Sequence, residues 1–283
     1  MPTIGAVTAP LLVIDGDSLA HRAYHALPKT MRRAEGKPAN ALVGFSNFLT
    51  RLWQSESPRA VLVGWDTLEV PTYRHELFAG YQGGREFDAD LLDQLDLLPE
   101  LVRSFGFAAA KGAGYEADDF LAAAVKHEEG RGGEAVVVTS DRDAFQLASE
   151  RTTILQPTKG VSELARVGPA EVRERYGVEP QQVADFIALR VDPSDRLPGA
   201  RGVGPKTAAS LLGEYGTLEA MLEAGRFEVQ QEELRIFRRM ATLDASAPLP
   251  PLEDQTPQWA EASSFMRQLG MNAQADRIAA QGA

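Results

Sequence analysis

The chain has 283 residues, 44% hydrophobic and 24% charged, with 40 acidic against 29 basic side chains and a formal net charge of −11. That length suits two domains with cores of their own, and the ordinary hydrophobic share excludes a disordered chain. The absence of cysteine excludes disulfides, thiolate chemistry and cysteine-ligated zinc, and it fits a cytoplasmic protein.

Residues 1–10 carry no Lys or Arg, and the apolar run after them stops at Asp15, so neither a signal peptide nor a membrane span is expected. Leu11, Leu12, Val13 and Ile14 read as a short buried strand ending in Asp15-Gly16-Asp17-Ser18. A helical pattern follows over 39–54, and a second strand over 60–65 ends in Asp66. The stretch 67–90 differs: it holds Pro71, Gly80, Gly83 and Gly84, has no apolar period, and sets Arg74 and Arg85 beside Tyr73 and Tyr81. It reads as a lid over the rim or as an ordinary surface loop. Helical patterns cover 91–105 and 118–129, the second opened by Glu116, Asp118 and Asp119. A third strand, 135–139, ends in Ser140-Asp141-Arg142-Asp143. Past Gln156-Pro157 the strands are expected to stop, with a domain boundary near Ser162 and helices over 168–176, 181–190 and 206–215. The expected units are 1–162, 163–247 and a tail, 248–283, that is proline-rich to 257 and then helical, packing back on the fold.

Strands alternating with helices imply a parallel sheet with right-handed crossovers, whose strand ends all face one edge. Asp15, Asp66 and Asp141 therefore reach one rim. A single Asp after a strand is commonly a turn or cap residue, and Glu116, Asp118 and Asp119 read alone fit a capped helix end as well as a metal site. Together with Asp143 they make seven carboxylates, which repel one another unless a cation gathers them. All-oxygen ligands favour Mg²⁺ or Mn²⁺ over zinc, and two ions sharing carboxylates suit displacement at phosphate. In the second unit Gly202-Val203-Gly204-Pro205-Lys206-Thr207 nearly spells a P-loop, but Pro205 intrudes and no strand precedes it. It reads as a hairpin between two helices whose amides hold a backbone phosphate beside Lys206, or as a purely structural turn. Asp192 and Asp195, just upstream, extend the acids to nine if their loop folds back on the rim. With those nine set aside the charge is near neutral, so the acidic balance does not exclude a nucleic-acid partner.

Three groups of residues carry a resemblance from about residue 11 to residue 222. The first is Asp15-Gly16-Asp17-Ser18, Arg22-Ala23-Tyr24-His25 and Trp65-Asp66. The second is Tyr73-Arg74, Tyr81, Arg85 and Glu116-Ala117-Asp118-Asp119. The third is Ser140-Asp141-Arg142-Asp143, Asp192-Pro193-Ser194-Asp195 and the glycine hairpin. In that order the chain resembles the bacterial 5′ to 3′ exonuclease and flap endonuclease family, also found as the N-terminal domain of bacterial DNA polymerase I. The resemblance implies a PIN-like α/β core, a helical arch at about 67–90 and a helix-three-turn-helix DNA-binding domain. It implies two or more Mg²⁺ or Mn²⁺, the first held by Asp15, Asp66, Glu116 and Asp118, the second by Asp141, Asp143, Asp192 and Asp195, with Asp118 or Asp119 near both. Arg22 and Arg85 would meet the scissile phosphate, with Arg74 as a substitute. Tyr24, Tyr81, Gly202, Gly204, Lys206 and Thr207 would meet DNA, and the hairpin carbonyls K⁺. Tyr24 fits a core position as well as a stacking one. The implied substrate is DNA with a 5′ flap or a 5′ end at a single-strand/duplex junction, cut by a monomer working with a polymerase and a ligase near the nucleoid. Gln82 stands where the family has a lysine, Val191 replaces a glycine, Arg196 an asparagine, and His21 sits where tyrosine is common. A PIN-like ribonuclease and a non-catalytic junction-binding protein are the rival readings.

Overall fold

A computed structural model describes residues 9–67, 70–78, 81, 88–159, 163–192 and 196–282. A six-stranded sheet forms its centre: β1 (Leu11–Asp15), β2 (Ala60–Gly64), β3 (Ala108–Ala110), β4 (Ala135–Val138), β5 (Thr152–Lys159) and β6 (Glu163–Val167). Their order across the sheet is β3-β2-β1-β4-β5-β6, parallel throughout except for the final antiparallel pair. The direction of winding reverses at β1, which opens a crevice at the carboxyl ends of β1 and its neighbours.

Among the described residues thirteen α-helices accompany the sheet: α1 (Gly16–Ala26), α2 (Asn40–Glu56), α3 (Tyr73–Leu77), α4 (Ala89–Leu95), α5 (Leu98–Ser104), α6 (Ala117–Gly130), α7 (Pro169–Tyr176), α8 (Val183–Leu189), α9 (Pro205–Tyr215), α10 (Leu218–Glu223), α11 (Gln231–Ala241), α12 (Trp259–Gln268) and α13 (Asn272–Ala279). Alternation along β1 divides the core. Leu12 and Ile14 face α1, α2, α4, α5 and the tail helices α12 and α13. Leu11 and Val13 face α6, and the same apolar cluster runs on into α8 to α11. β1, β2 and β4 are thus buried on both faces, which is why they read as unbroken apolar runs.

One expectation is corrected. Strands do not stop at Pro157: β5 runs through it to 159 and pairs with β6, with the register broken between Pro157 and Lys159. Proline is tolerated in a strand where the ladder is irregular. The sheet therefore ends at Val167, past the expected boundary near Ser162, and Gly168 caps α7. β6 is an exposed edge strand of mixed polarity, and β3 is three alanines; neither offers an apolar run to read.

The tail closes the molecule. Gln255 accepts from Val61 N and donates its own amide to Arg59 O, and Arg59 pairs with Glu128 while reaching Leu252 O at 2.7 Å. These contacts lead α12 and α13 back onto the face made by α2 and α5.

Candidate metal centre and nucleic-acid interface

Asp15 is the last residue of β1 and the cap of α1. Its Oδ1 accepts from Ser18 N (2.9 Å), and its Oδ2 accepts from Thr139 Oγ1 (2.7 Å) at the end of β4. Burial pushes its carboxyl up to about 7, against the pull of those two donors, and Asp66 and Asp141 add to the rise. Asp66 follows β2; Ala117 N donates to its Oδ1 (2.8 Å), while its own amide donates to Asp17 Oδ2 (2.7 Å). Burial, then Asp66 and Asp15, raise Asp17 well above the usual range, and Lys111, just past β3, opposes them. Asp141 donates its amide to Thr139 Oγ1 (3.0 Å) and accepts from Asp143 N (2.9 Å). It lies at the open mouth of the crevice, yet enclosure by surrounding atoms raises its carboxyl and Asp192 adds to the effect. Asp192 is buried and held by reciprocal backbone bonds to Leu197 (2.8 and 2.9 Å).

Asp118 faces these groups from the first turn of α6. Burial raises its carboxyl, Arg74 opposes, and Asp119, Glu116 and Asp141 reinforce the rise. Its Oδ1 is buried and has no hydrogen-bond partner among the described residues. Glu116, immediately before α6, receives the hydroxyls of Thr72 on Oε1 and Tyr81 on Oε2, both at 2.8 Å.

Asp15, Asp66, Glu116, Asp118, Asp141 and Asp192 therefore come from β1, β2, the α6 start, β4 and the loop after α8 to one electrostatically linked cluster. Among the described residues no group of three or more stands in finished metal-ligating geometry. An orphaned carboxylate oxygen amid carboxyls raised by burial and mutual repulsion fits a divalent cation, and oxygen-only donors suit Mg²⁺ or Mn²⁺.

Several expected roles change. Asp119 is fully buried and turned away: Arg74 Nη2 (2.9 Å) and Asp244 N (2.8 Å) reach its Oδ1, Arg74 Nη1 (3.0 Å) and Glu116 N (3.1 Å) its Oδ2. Successive helix positions point about 100° apart: both carboxylates reach Arg74 Nη2 (3.4 and 2.9 Å), but Asp118 keeps an oxygen without a partner among the described residues, while both oxygens of Asp119 are taken. Arg74, expected near the scissile phosphate, is 1% exposed. Burial works against its charge, and Asp118, Asp119 and Glu116 outweigh it. Tyr24, expected to meet DNA, is a buried core residue whose hydroxyl donates to Asp88 Oδ2 (2.6 Å). Tyr81 is likewise buried against Glu116.

Arg22 lies on the face of α1 beside the rim, with Nε on Ser140 Oγ (3.1 Å), and lines an open concavity of about 530 Å³ with Ser18, His21 and His25. Asp143 is half-buried at the start of a 3₁₀ turn after Asp141. Gly202, Gly204, Lys206 and Thr207 are all exposed, with Gly202 at φ +75° and Gly204 capping α9. Arg85 and Asp195 lie outside the described residues, as do Gln82 and part of the expected arch.

Asp17, Thr72, Lys111 and Thr139 were not singled out. Asp17 and Thr139 are legible in retrospect as polar residues within two positions of a strand end. Thr72 and Lys111 gave no signal, because their roles depend on which segments pack together.

A family model described as 5′-3′ exonuclease, N-terminal resolvase-like domain, matches residues 10–177. The chain belongs to the 5′-3′ exonuclease family. A second model, the C-terminal SAM fold of the same exonucleases, matches residues 178–262. DNA polymerase I of Deinococcus radiodurans is 44% identical over 215 residues, 76% of this chain and 22% of that protein. The thermostable DNA polymerase I of Thermus thermophilus is 37% identical over 250 residues, 84% of this chain and 29% of that protein. The chain thus spans roughly a quarter of the length of these relatives. Among solved structures, the T5 D15 protein co-crystallised with metal ions superposes with a TM-score of 0.70 at 18% identity, covering 97% of this chain and all of that one. The bacteriophage T5 D15 flap endonuclease in a pseudo-enzyme-product complex with DNA and metal ions gives 0.65 at 21% identity, over 96% and 98% of the two chains. At these identities the likeness establishes the fold: a resolvase-like α/β core with a helical second domain, as the sequence implied.

Proposed function

We propose that this exonuclease-family chain hydrolyses DNA phosphodiester bonds with divalent metal, removing nucleotides from 5′ ends and cutting 5′ flaps at single-strand/duplex junctions. The observation that carries the reading is the meeting of Asp15, Asp66, Asp118, Asp141 and Asp192 from separate segments at the carboxyl edge of the sheet, with one buried carboxylate oxygen unsatisfied. The T5 flap endonuclease of the same fold was crystallised with DNA and metal ions.

Asp15, Asp66, Asp118, Asp141 and Asp192 would hold the ions, with Glu116 beside them. When bound, such ions lower the pKa of a coordinated water and neutralise charge on the phosphate. Ser18 N and Thr139 Oγ1 fix the Asp15 carboxylate, and the Ala117 amide fixes Asp66, so little reorganisation is left for the reaction. Arg22, braced by Ser140, supplies a guanidinium at the rim for the scissile phosphate. The exposed amides at the α9 N-terminus and Lys206 suit a backbone phosphate of the duplex, and the hairpin carbonyls are the place for K⁺. Mg²⁺ or Mn²⁺ as the ions, a polymerase and a ligase as partners, action as a monomer and a cytoplasmic, nucleoid-associated setting belong to the same reading.

The test is a labelled 5′-flap DNA with Mg²⁺, Mn²⁺ or EDTA. Cleavage with either metal and none with EDTA is expected, and Asp141→Asn is expected to abolish cleavage while retaining binding in Ca²⁺. An Asp141→Asn protein that cuts normally refutes the site. Preference for RNA over DNA would favour the ribonuclease reading, and binding without cleavage the junction-binding one.

A further inference from the structure

Two hydroxyls from the segment between β2 and β3 are spent on one carboxylate of the metal cluster. Thr72 is 3% exposed and Tyr81 4% exposed, and they donate to opposite oxygens of Glu116 at 2.8 Å each. Arg74 Nη1 lies 3.3 Å from Oε2. A carboxylate has about four acceptor positions, so the two hydroxyls leave roughly two lone-pair directions for other partners. His75 joins the two hydroxyl residues: its Nδ1 accepts from Thr72 N (3.2 Å), and its ring stands edge-on to Tyr81 at 5.1 Å and 82°. Thr72 caps α3, and Arg74, in its first turn, also donates to Met240 O in α11 (3.0 Å).

A hydrogen bond that orients a ligating carboxylate preserves its geometry, and its removal typically costs 10–100-fold in metal affinity. We infer that Thr72 and Tyr81 are positioning residues that fix Glu116 for a divalent cation, so that cation binding and the seating of α3 on the start of α6 form one coupled equilibrium. The inference rests on the divalent-metal reading above and adds to it the residues through which α3 and Tyr81 respond to the ion. Coupling of this kind is reciprocal: whatever factor the seated segment adds to cation affinity, the cation adds to seating.

The test uses the full chain and Ca²⁺ alone, by isothermal titration calorimetry, with hydrogen exchange of the amides of 73–77 as the second readout. Thr72→Val and Tyr81→Phe, each removing one hydroxyl at nearly constant shape, are expected to weaken Ca²⁺ binding roughly tenfold. Thr72→Ser is expected to retain wild-type affinity. Ca²⁺ is expected to slow exchange over 73–77 in wild type and to do so much less in Thr72→Val. If Thr72→Val does not fold, Tyr81→Phe decides. Wild-type Ca²⁺ affinity in the folded hydroxyl-deletion variants overturns the inference and leaves the metal reading standing. Absence of Ca²⁺ binding by the wild-type protein overturns both.

Discussion

Replacing Arg74 with methionine keeps much of the side-chain volume and removes the guanidinium that, among the described residues, lies between Glu116, Asp118 and Asp119. It is 1% exposed and reaches Asp119 at 2.9 and 3.0 Å, Glu116 at 3.3 Å, Asp118 at 3.4 Å and the Met240 carbonyl at 3.0 Å. Removing one member of a buried ion pair leaves a carboxylate desolvated and uncompensated, at a cost of about 3–5 kcal/mol. At roughly 2–4 °C per kcal/mol for a chain of this size class, Arg74→Met should melt about 6–20 °C below wild type in EDTA. Protonating a carboxyl of the cluster relieves part of the repulsion, so the deficit should shrink between about pH 8 and pH 5. Scanning calorimetry with matched buffers measures both. A Tm within 2 °C of wild type at pH 8 would mean that Arg74 does not neutralise the acids, and the account of why Asp119 is a structural anchor would fail.

Two glycines of the second domain should respond differently to alanine. At Gly199, φ is +65° and a Cβ would lie 2.5 Å from the carbonyl carbon and oxygen of Arg190, whereas at Gly202, φ is +75° with nothing within 4 Å. Gly202→Ala should cost about 1–2 kcal/mol of left-handed strain, and Gly199→Ala that strain plus a backbone shift; urea unfolding giving equal losses would contradict the hairpin geometry. Burial raises the Asp185 carboxyl above its ordinary 3.8, with the Leu218 amide and Arg238 opposing. A raised carboxyl favours the neutral form in the folded protein, so its stabilising contribution is complete below about pH 3.8 and is lost as pH rises through the folded value. Asp185→Asn, neutral throughout, should therefore show a shallower fall in Tm from pH 4 to pH 7, and a slope equal to wild type would show that burial does not raise the Asp185 carboxyl.

The part of the fold that positions the site was legible because parallel strands buried on both faces must be apolar. Leu11 to Ile14, 60–64 and 135–138 stand out for that reason, and the polar residue that ends each run lies at the rim by topology alone. β3 and β6 were not legible, since three alanines and a solvent-exposed edge carry no period. The surroundings of Arg74 and Asp119 were not legible for a common reason, since a charged residue in a motif declares its chemistry but not its direction, whereas the core position open to Tyr24 is the one it takes. A single residue step of α6, about 100° of rotation, separates Asp118, facing the cluster, from Asp119, held by Arg74 and the Asp244 amide, and no spacing rule assigns the side. Thr72 and Tyr81 act on a carboxylate 44 and 35 positions away, a relation that only the packing of α3 against the start of α6 creates.

A crystal of the protein soaked in Mn²⁺, with anomalous differences recorded, tests the central claim most directly. The account predicts anomalous density bounded by the carboxylates of Asp15, Asp118 and Asp141, with Mn–O distances of about 2.0–2.4 Å. Density elsewhere, or none at millimolar Mn²⁺, would contradict it.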